Sequence, residues 1–143
     1  MRKVLLILTI TCLLTAVGCQ KATAPAPEFR KYQTVADVPK ISIQDAKKEV
    51  DAGKAVIVDS RAESAYKFEH IAGAINLPVG STEDKLNALP RDKNILIYCS
   101  CATEATSMAL ALQINQKGIA NTYAIVGGTN AWHQAGYPMK KGQ

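Results

Sequence analysis

An α/β domain with a central, mainly parallel five-stranded sheet and helices on both faces is what three features of the sequence predict. Ala55-Val56-Ile57-Val58-Asp59 and Ile95-Leu96-Ile97-Tyr98-Cys99 are continuous rather than alternating apolar runs, the pattern of strands covered on both faces. Helix-type segments separate the strand-type ones over about 100 residues, which calls for right-handed crossovers between parallel strands. A chain of 143 residues, 48% of them apolar, accommodates one such domain with a core of ordinary proportion.

The elements follow in order, with the folded domain expected over residues 41–143. Residues 41–43 suit a short strand. Ser42 and Asp45 have capping-box spacing for a helix that runs to Ala52 and stops at Gly53. The run 55–59 is the next strand, 62–68 a short helix and 74–77 a small strand halted by Pro78. Residues 81–89 predict a helix broken at Pro90, and 95–99 a strand. The Ala-, Leu- and Met-rich stretch from Glu104 to Gln116 predicts a long helix stopped near Gly118. A strand at 122–126, the breaker Gly127-Gly128 and a last helix at 129–135 complete the domain, closed by Gly136-Tyr137-Pro138.

The N-terminal part reads differently. Met1-Arg2-Lys3 followed by the apolar run 4–17 has the form of a signal peptide and is too short to span a bilayer as a helix. The run ends in Leu14-Thr15-Ala16-Val17-Gly18-Cys19, which resembles a bacterial lipobox. That resemblance implies signal removal over residues 1–18, lipidation of Cys19 and a stable two-chain membrane anchor facing the periplasm or exterior. An ordinary secretory signal, giving a soluble exported protein, stays open beside it. Residues 19–40 then form a lead-in whose first part, rich in alanine and proline, suits an extended tether.

The net charge of +5 falls to about +3 without Arg2 and Lys3, and the basic residues are scattered rather than interleaved with aromatics. Nucleic-acid binding has little support from such a distribution. Of four cysteines, Cys12 and Cys19 belong to the export segment, leaving Cys99 and Cys101. Two thiols separated by one residue do not make a disulfide framework, so reactivity is the better reason for them. Cys99 sits where a strand turns into a helix, beyond a carboxyl sheet edge where α/β sites lie. Unpaired N–H groups at the helix start favour a thiolate there.

Several segments together resemble the rhodanese-like domain family across residues 41–139: Val58-Asp59-Ser60-Arg61, Glu69-His70-Ile71-Ala72-Gly73-Ala74-Ile75-Asn76-Leu77-Pro78, Tyr98-Cys99, Gly127-Gly128-Thr129-Asn130-Ala131-Trp132 and Gly136-Tyr137-Pro138. The resemblance implies a sulfurtransferase in which Cys99 takes sulfur from a small sulfane donor and passes it to a thiol or other thiophilic acceptor. It implies neither metal nor organic cofactor. Small residues at Ser100, Ala102 and Thr103 would let backbone N–H groups of the loop, through Glu104, curl around the anion. The loop departs from the common Cys-x-x-Gly-x-Arg pattern, carrying Ala102 and Glu104 at the glycine and arginine positions. A carboxylate there disfavours a dianionic donor such as thiosulfate. Ala105 stands where phosphatase relatives need an arginine, which argues against phosphate chemistry.

The remaining residues carry paired readings. Cys101 is a resolving thiol, whose strained disulfide with Cys99 would be oxidising, or a small loop filler; copper(I) capture is a weaker third reading. Asp59, Arg61 and His70 are read as a supporting network rather than as proton-transfer groups. Glu104 either complements the helix dipole or selects the acceptor. Two further functions stay in view: a non-catalytic binding or sensing module, and a thiol-disulfide protein using both cysteines.

Overall fold

In the computed structural model, which describes residues 29–100 and 103–142, the two apolar runs lie side by side. Strand β2 (Ala55–Asp59) pairs in parallel with β5 (Asn94–Tyr98) along its whole length, setting Asp59 opposite Tyr98. Strands β1 (Lys40–Ile41), β4 (Ile75–Asn76) and β6 (Thr122–Ile125) complete a five-stranded sheet in the order β1-β6-β5-β2-β4, every neighbouring pair parallel. β5 is therefore the middle strand. Its tip is equally remote from both sheet edges.

Burial on both faces explains the continuous runs. Along β5, Ile95 and Ile97 point into one core with Val58, Leu86, Leu110, Ala111 and Ile114, while Leu96 and Tyr98 enter the other with Ile57, Ala46, Ile125 and Trp132. Helices α3 (Glu83–Asn87) and α4 (Ala105–Gln116) cover the first face; α1 (Ile43–Asp51), α2 (Glu63–Phe68) and α5 (Gly128–Gln134) cover the second. At about 25 cal/mol per Å² of apolar surface removed from water, side chains buried by alternate residues of one strand bind both layers to the sheet.

The ends of several elements differ from expectation. Ser42 is the N-cap of α1, its hydroxyl accepting the Asp45 N–H at 3.1 Å, so Ile43 is helical and β1 stops at Ile41. α4 begins at Ala105 because Glu104 is left-handed, with φ 53°. A small antiparallel pair was not anticipated: β3 (His70–Ile71) with β7 (Met139–Lys140), each too short to show a period. The lead-in from Phe29 to Lys40, expected to be irregular, is partly ordered. Tyr32 is buried, its N–H donates to Asn115 Oδ1 at 2.7 Å, and a 3-10 turn follows at Val35–Asp37. The signal, Cys19, the 20–27 tether and Glu28 lie outside the described residues, as do Cys101 and Ala102. Among the described residues no helix is long and apolar enough to cross a membrane.

Candidate active site

Cys99 follows directly on β5 and is buried, with 2% of its surface exposed. The backbone on both sides of it is fixed. The Tyr98 carbonyl accepts two bonds from Ser60, from N–H at 3.0 Å and from the hydroxyl at 2.8 Å, and the Cys99 carbonyl accepts the Thr129 N–H at 3.0 Å. Gly128 makes that second contact possible. A β-carbon there would stand 1.8 Å from the Cys99 carbonyl oxygen, and its φ of 48° is one that side-chain-bearing residues rarely adopt.

Beside β5, the Asp59 carboxylate at the end of β2 is fully buried and gathers four donors. Arg61 gives it Nε–H at 3.0 Å, Nη2–H at 2.6 Å and its own backbone N–H at 2.8 Å, and Tyr98 gives its hydroxyl at 2.6 Å. Arg61 Nη2 also donates to the Glu69 carbonyl at 2.7 Å, while the Tyr98 oxygen accepts the Ile71 N–H at 3.1 Å. Burial and then the neighbouring Asp59 push the Tyr98 phenol far above its ordinary range, so it donates at all physiological pH. Burial works to lower Arg61, but the hydrogen bonds and charge of Asp59 outweigh it and raise it. This network joins β2, β3 and β5, and among the described residues no buried side-chain nitrogen or oxygen is left without a hydrogen-bond partner, a high-stakes arrangement in low dielectric.

At the other end of the loop, Glu104 turns its carboxylate inward. Oε2 accepts the Lys40 ammonium at 2.8 Å and Oε1 accepts the Gly127 N–H at 3.1 Å. Burial alone would raise this carboxyl, but the Lys40 hydrogen bond, the Gly127 N–H and the Lys40 charge hold it below its ordinary value. The Glu104 carbonyl meanwhile receives Met108 N–H and the Ser107 hydroxyl, both at 2.9 Å, which starts α4. Glu104 makes no side-chain cap on that helix, and its charge is matched by Lys40. The turn at 127–129 thus holds both ends of the loop, Glu104 through Gly127 and Cys99 through Thr129.

His70 is buried but joins a different group: Nδ1 lies 2.8 Å from the Tyr66 carbonyl and the ring stacks on Tyr66 at 3.8 Å between centroids. Ser100 and Thr103 are exposed. An open cleft of about 400 Å³ begins at Ser100 and runs between Arg61, Phe68 and Glu69 on one side and Thr129, Asn130, His133 and Gln134 on the other, with Met139 at its edge. Sequence reasoning missed Tyr98 as the hydroxyl that joins Asp59, Lys40 as the partner of Glu104, and the face of α5 that walls the cleft. The spacing of Thr129, Asn130, His133 and Gln134, one helical face, was the available signal for the last.

A parallel sheet that delivers one buried thiol from the tip of its middle strand into a loop ahead of a long helix defines a class of α/β domain built to present a cysteine at the sheet's carboxyl edge. Within that class the chain belongs to the rhodanese-like domain family, whose model matches residues 42–135. It is 32% identical over 105 residues to the tRNA sulfurtransferase of Desulfurococcus amylolyticus, covering 72% of this chain and 20% of that protein. It is 29% identical over 77 residues to the thiosulfate sulfurtransferase GlpE of Coxiella burnetii, covering 54% of this chain and 70% of that one. The chain spans 40% and 20% of the length of two curated relatives that it matches. The crystal structure of the BH2092 protein from Bacillus halodurans superposes with a TM-score of 0.66 at 25% identity, over 72% of this chain and 77% of that one.

Proposed function

We propose that this protein is a sulfurtransferase that carries sulfane sulfur as a persulfide on Cys99. The observation that carries the reading is the backbone fixation of Cys99, through Ser60 and Thr129, at the tip of the central strand beside an open cleft. The names of the two sulfurtransferase relatives support the same chemistry.

In the reaction the Cys99 thiolate attacks the outer sulfur of a donor. The donor's sulfur–sulfur bond breaks, its remaining fragment leaves with the electron pair, and Cys99 gains one sulfur. An acceptor thiolate then attacks that outer sulfur, and the Cys99 thiolate leaves. No net oxidant or reductant is consumed. Fixing the main chain on both sides of the nucleophile holds its attack line constant through both halves, a positioning contribution. The chain's own signal-like N-terminus supports placing this activity at the cell envelope, on a lipid anchor at Cys19.

The test is to incubate the purified protein with thiosulfate, polysulfide and glutathione persulfide and weigh it intact. The expected result is one added sulfur that thiols remove, absent from Cys99→Ser. Sulfur loading that survives in Cys99→Ser, or no loading from any donor, overturns the reading. Loading that persists in Cys101→Ser separates sulfur carriage from a two-cysteine redox mechanism.

A further inference from the structure

The lead-in fixes where the chain enters the domain. Asn115, buried near the end of α4, accepts the Tyr32 N–H at 2.7 Å and gives its own Nδ2–H to the Arg30 carbonyl at 3.1 Å. The Tyr32 hydroxyl donates to the carbonyl of Thr122, the first residue of β6, at 3.2 Å. Residues 30–32 are thereby tied to the amino edge of the sheet, where its parallel strands begin. Cys99 lies past the opposite end of β5, whose Ile95 pairs with Thr122, a strand length of about 16 Å away.

The surface around that entry point has its own character. Phe29 is 45% exposed, and Lys31, Lys54 and Arg91 are exposed beside the half-buried Lys93. Lys54 and Lys93 immediately precede β2 and β5, and Arg91 reaches the Gly118 carbonyl beyond α4 at 3.5 Å, so these cations share the amino edge. Among the described residues none of the four makes a salt bridge. Two carboxylates stand near them, Asp92 and Glu49, the second engaged by Asn94 Nδ2 at 3.0 Å, which leaves the edge basic. Beside the Cys99 loop, by contrast, Asp59 is matched by Arg61 and Glu104 by Lys40.

We infer that the amino edge is the membrane-facing side of the anchored protein, resting on anionic lipid headgroups, so that the Cys99 cleft opens toward water. This rests on lipidation of Cys19, part of the function proposed above. Cys19 and Phe29 are ten residues apart, a reach of at most about 36 Å. Turning the loop to the membrane would take nearly all of it, because a domain of this size has a radius of gyration of about 13 Å and is therefore over about 30 Å wide. With the amino edge down no such extension is needed, and Phe29 and the unpaired cations meet the headgroup layer, an aromatic with basic residues being the usual composition of a surface that lies on a bilayer.

The test uses the full mature lipoprotein, extracted from membranes, weighed intact and placed in nanodiscs of phosphatidylcholine and phosphatidylglycerol that carry a gadolinium-chelating headgroup. Amide signals of residues 29–31, 53–54, 91–93 and 116–118 should be lost, while those of 100, 103 and 128–130 keep their intensity. Lys31→Gln and Arg91→Gln, both at exposed positions, should each lower the share of this orientation relative to all others about fivefold, the equivalent of about 1 kcal/mol for one basic residue near an anionic surface.

Signal loss spread evenly over both edges, or strongest at 100 and 128–130, overturns the proposal. So does a pattern that persists unchanged in phosphatidylcholine alone, since the contact would then not depend on anionic headgroups. A mature chain whose mass carries no acyl chains overturns the anchor and this orientation together. Acyl chains present with an even pattern remove the orientation and leave the anchor standing.

Discussion

Asp59 and Glu104 bracket the Cys99 loop, one beside the strand that enters it and one where the chain leaves it, and the two carboxylates are satisfied by opposite means. Asp59 is fully buried and is held by Arg61, itself only 14% exposed, and by the Tyr98 hydroxyl. Glu104 is nearly as buried, but its cation, Lys40, is 47% exposed and reaches in from the surface, while the Gly127 N–H supplies the other bond. Removing a partner upstream strands a charge or a hydroxyl in the core. Removing Lys40 downstream leaves a carboxylate that keeps its backbone donor and gains access to water. The loop is thus fixed hard where the nucleophile is set and more loosely where the helix begins.

The largest effect that would break this comparison comes from Asp59→Asn. The amide is close in shape and still accepts from one donor, but Arg61 becomes a buried cation without its anion. Loss of one member of a buried pair costs about 3–5 kcal/mol, so urea unfolding should show a fall of that order. A loss below about 1 kcal/mol, the scale of an exposed pair, would put Asp59 in the same class as Glu104 and dissolve the distinction.

Gly128→Ala sharpens it at the nucleophile itself. A β-carbon 1.8 Å from the Cys99 carbonyl must displace either the loop or α5, and overpacking of this kind costs about 1–3 kcal/mol. Gly118→Ala is the control, since Gly118 also has positive φ, 84°, but a β-carbon there meets nothing within 4 Å. Both variants should lose stability in thermal melts, while sulfur loading of Cys99 falls only in Gly128→Ala. Equal loading in the two would show that the Cys99 carbonyl contact does not position the thiol.

Much of this was legible from residue order. β2 and β5 announce themselves as unbroken apolar runs because they are covered twice, and Cys99 follows because the run ends on it. Ser42 was visible as a cap because its partner Asp45 is local. What escaped was set by contacts distant in sequence. Lys40 and Glu104 are 64 residues apart, Asp59 and Tyr98 39 apart, and Tyr32 and Asn115 83 apart. A lysine on a strand edge and a tyrosine at a strand tip carry no local sign of their partner. β3 and β7, two residues each, have no period to read, and Glu104 looked helical because nothing local in the sequence marks its left-handed φ or its bonds to Lys40 and Gly127.

The smallest predicted effect is the one most specific to Glu104. Its carboxyl is held below the ordinary 4.5, so between that value and its native one the unfolded chain holds a proton that the folded chain lacks. Stability therefore rises with pH across this window; the contribution is fully present above about 4.5 and is lost as pH falls through the native value. Glu104→Gln keeps an acceptor for Gly127 and removes the titration. Its unfolding free energy, measured in urea from about pH 6 to about pH 3, should fall less steeply than wild type, the two curves converging in acid. The gap at the upper end should be about 0.5–1 kcal/mol, small because half-exposed Lys40 is screened by water, and Lys40→Met should reproduce most of it. Superimposable profiles would mean that the exposed lysine contributes nothing and that the Gly127 N–H alone holds this end of the loop; a gap as large as that of Asp59→Asn would make the two ends alike.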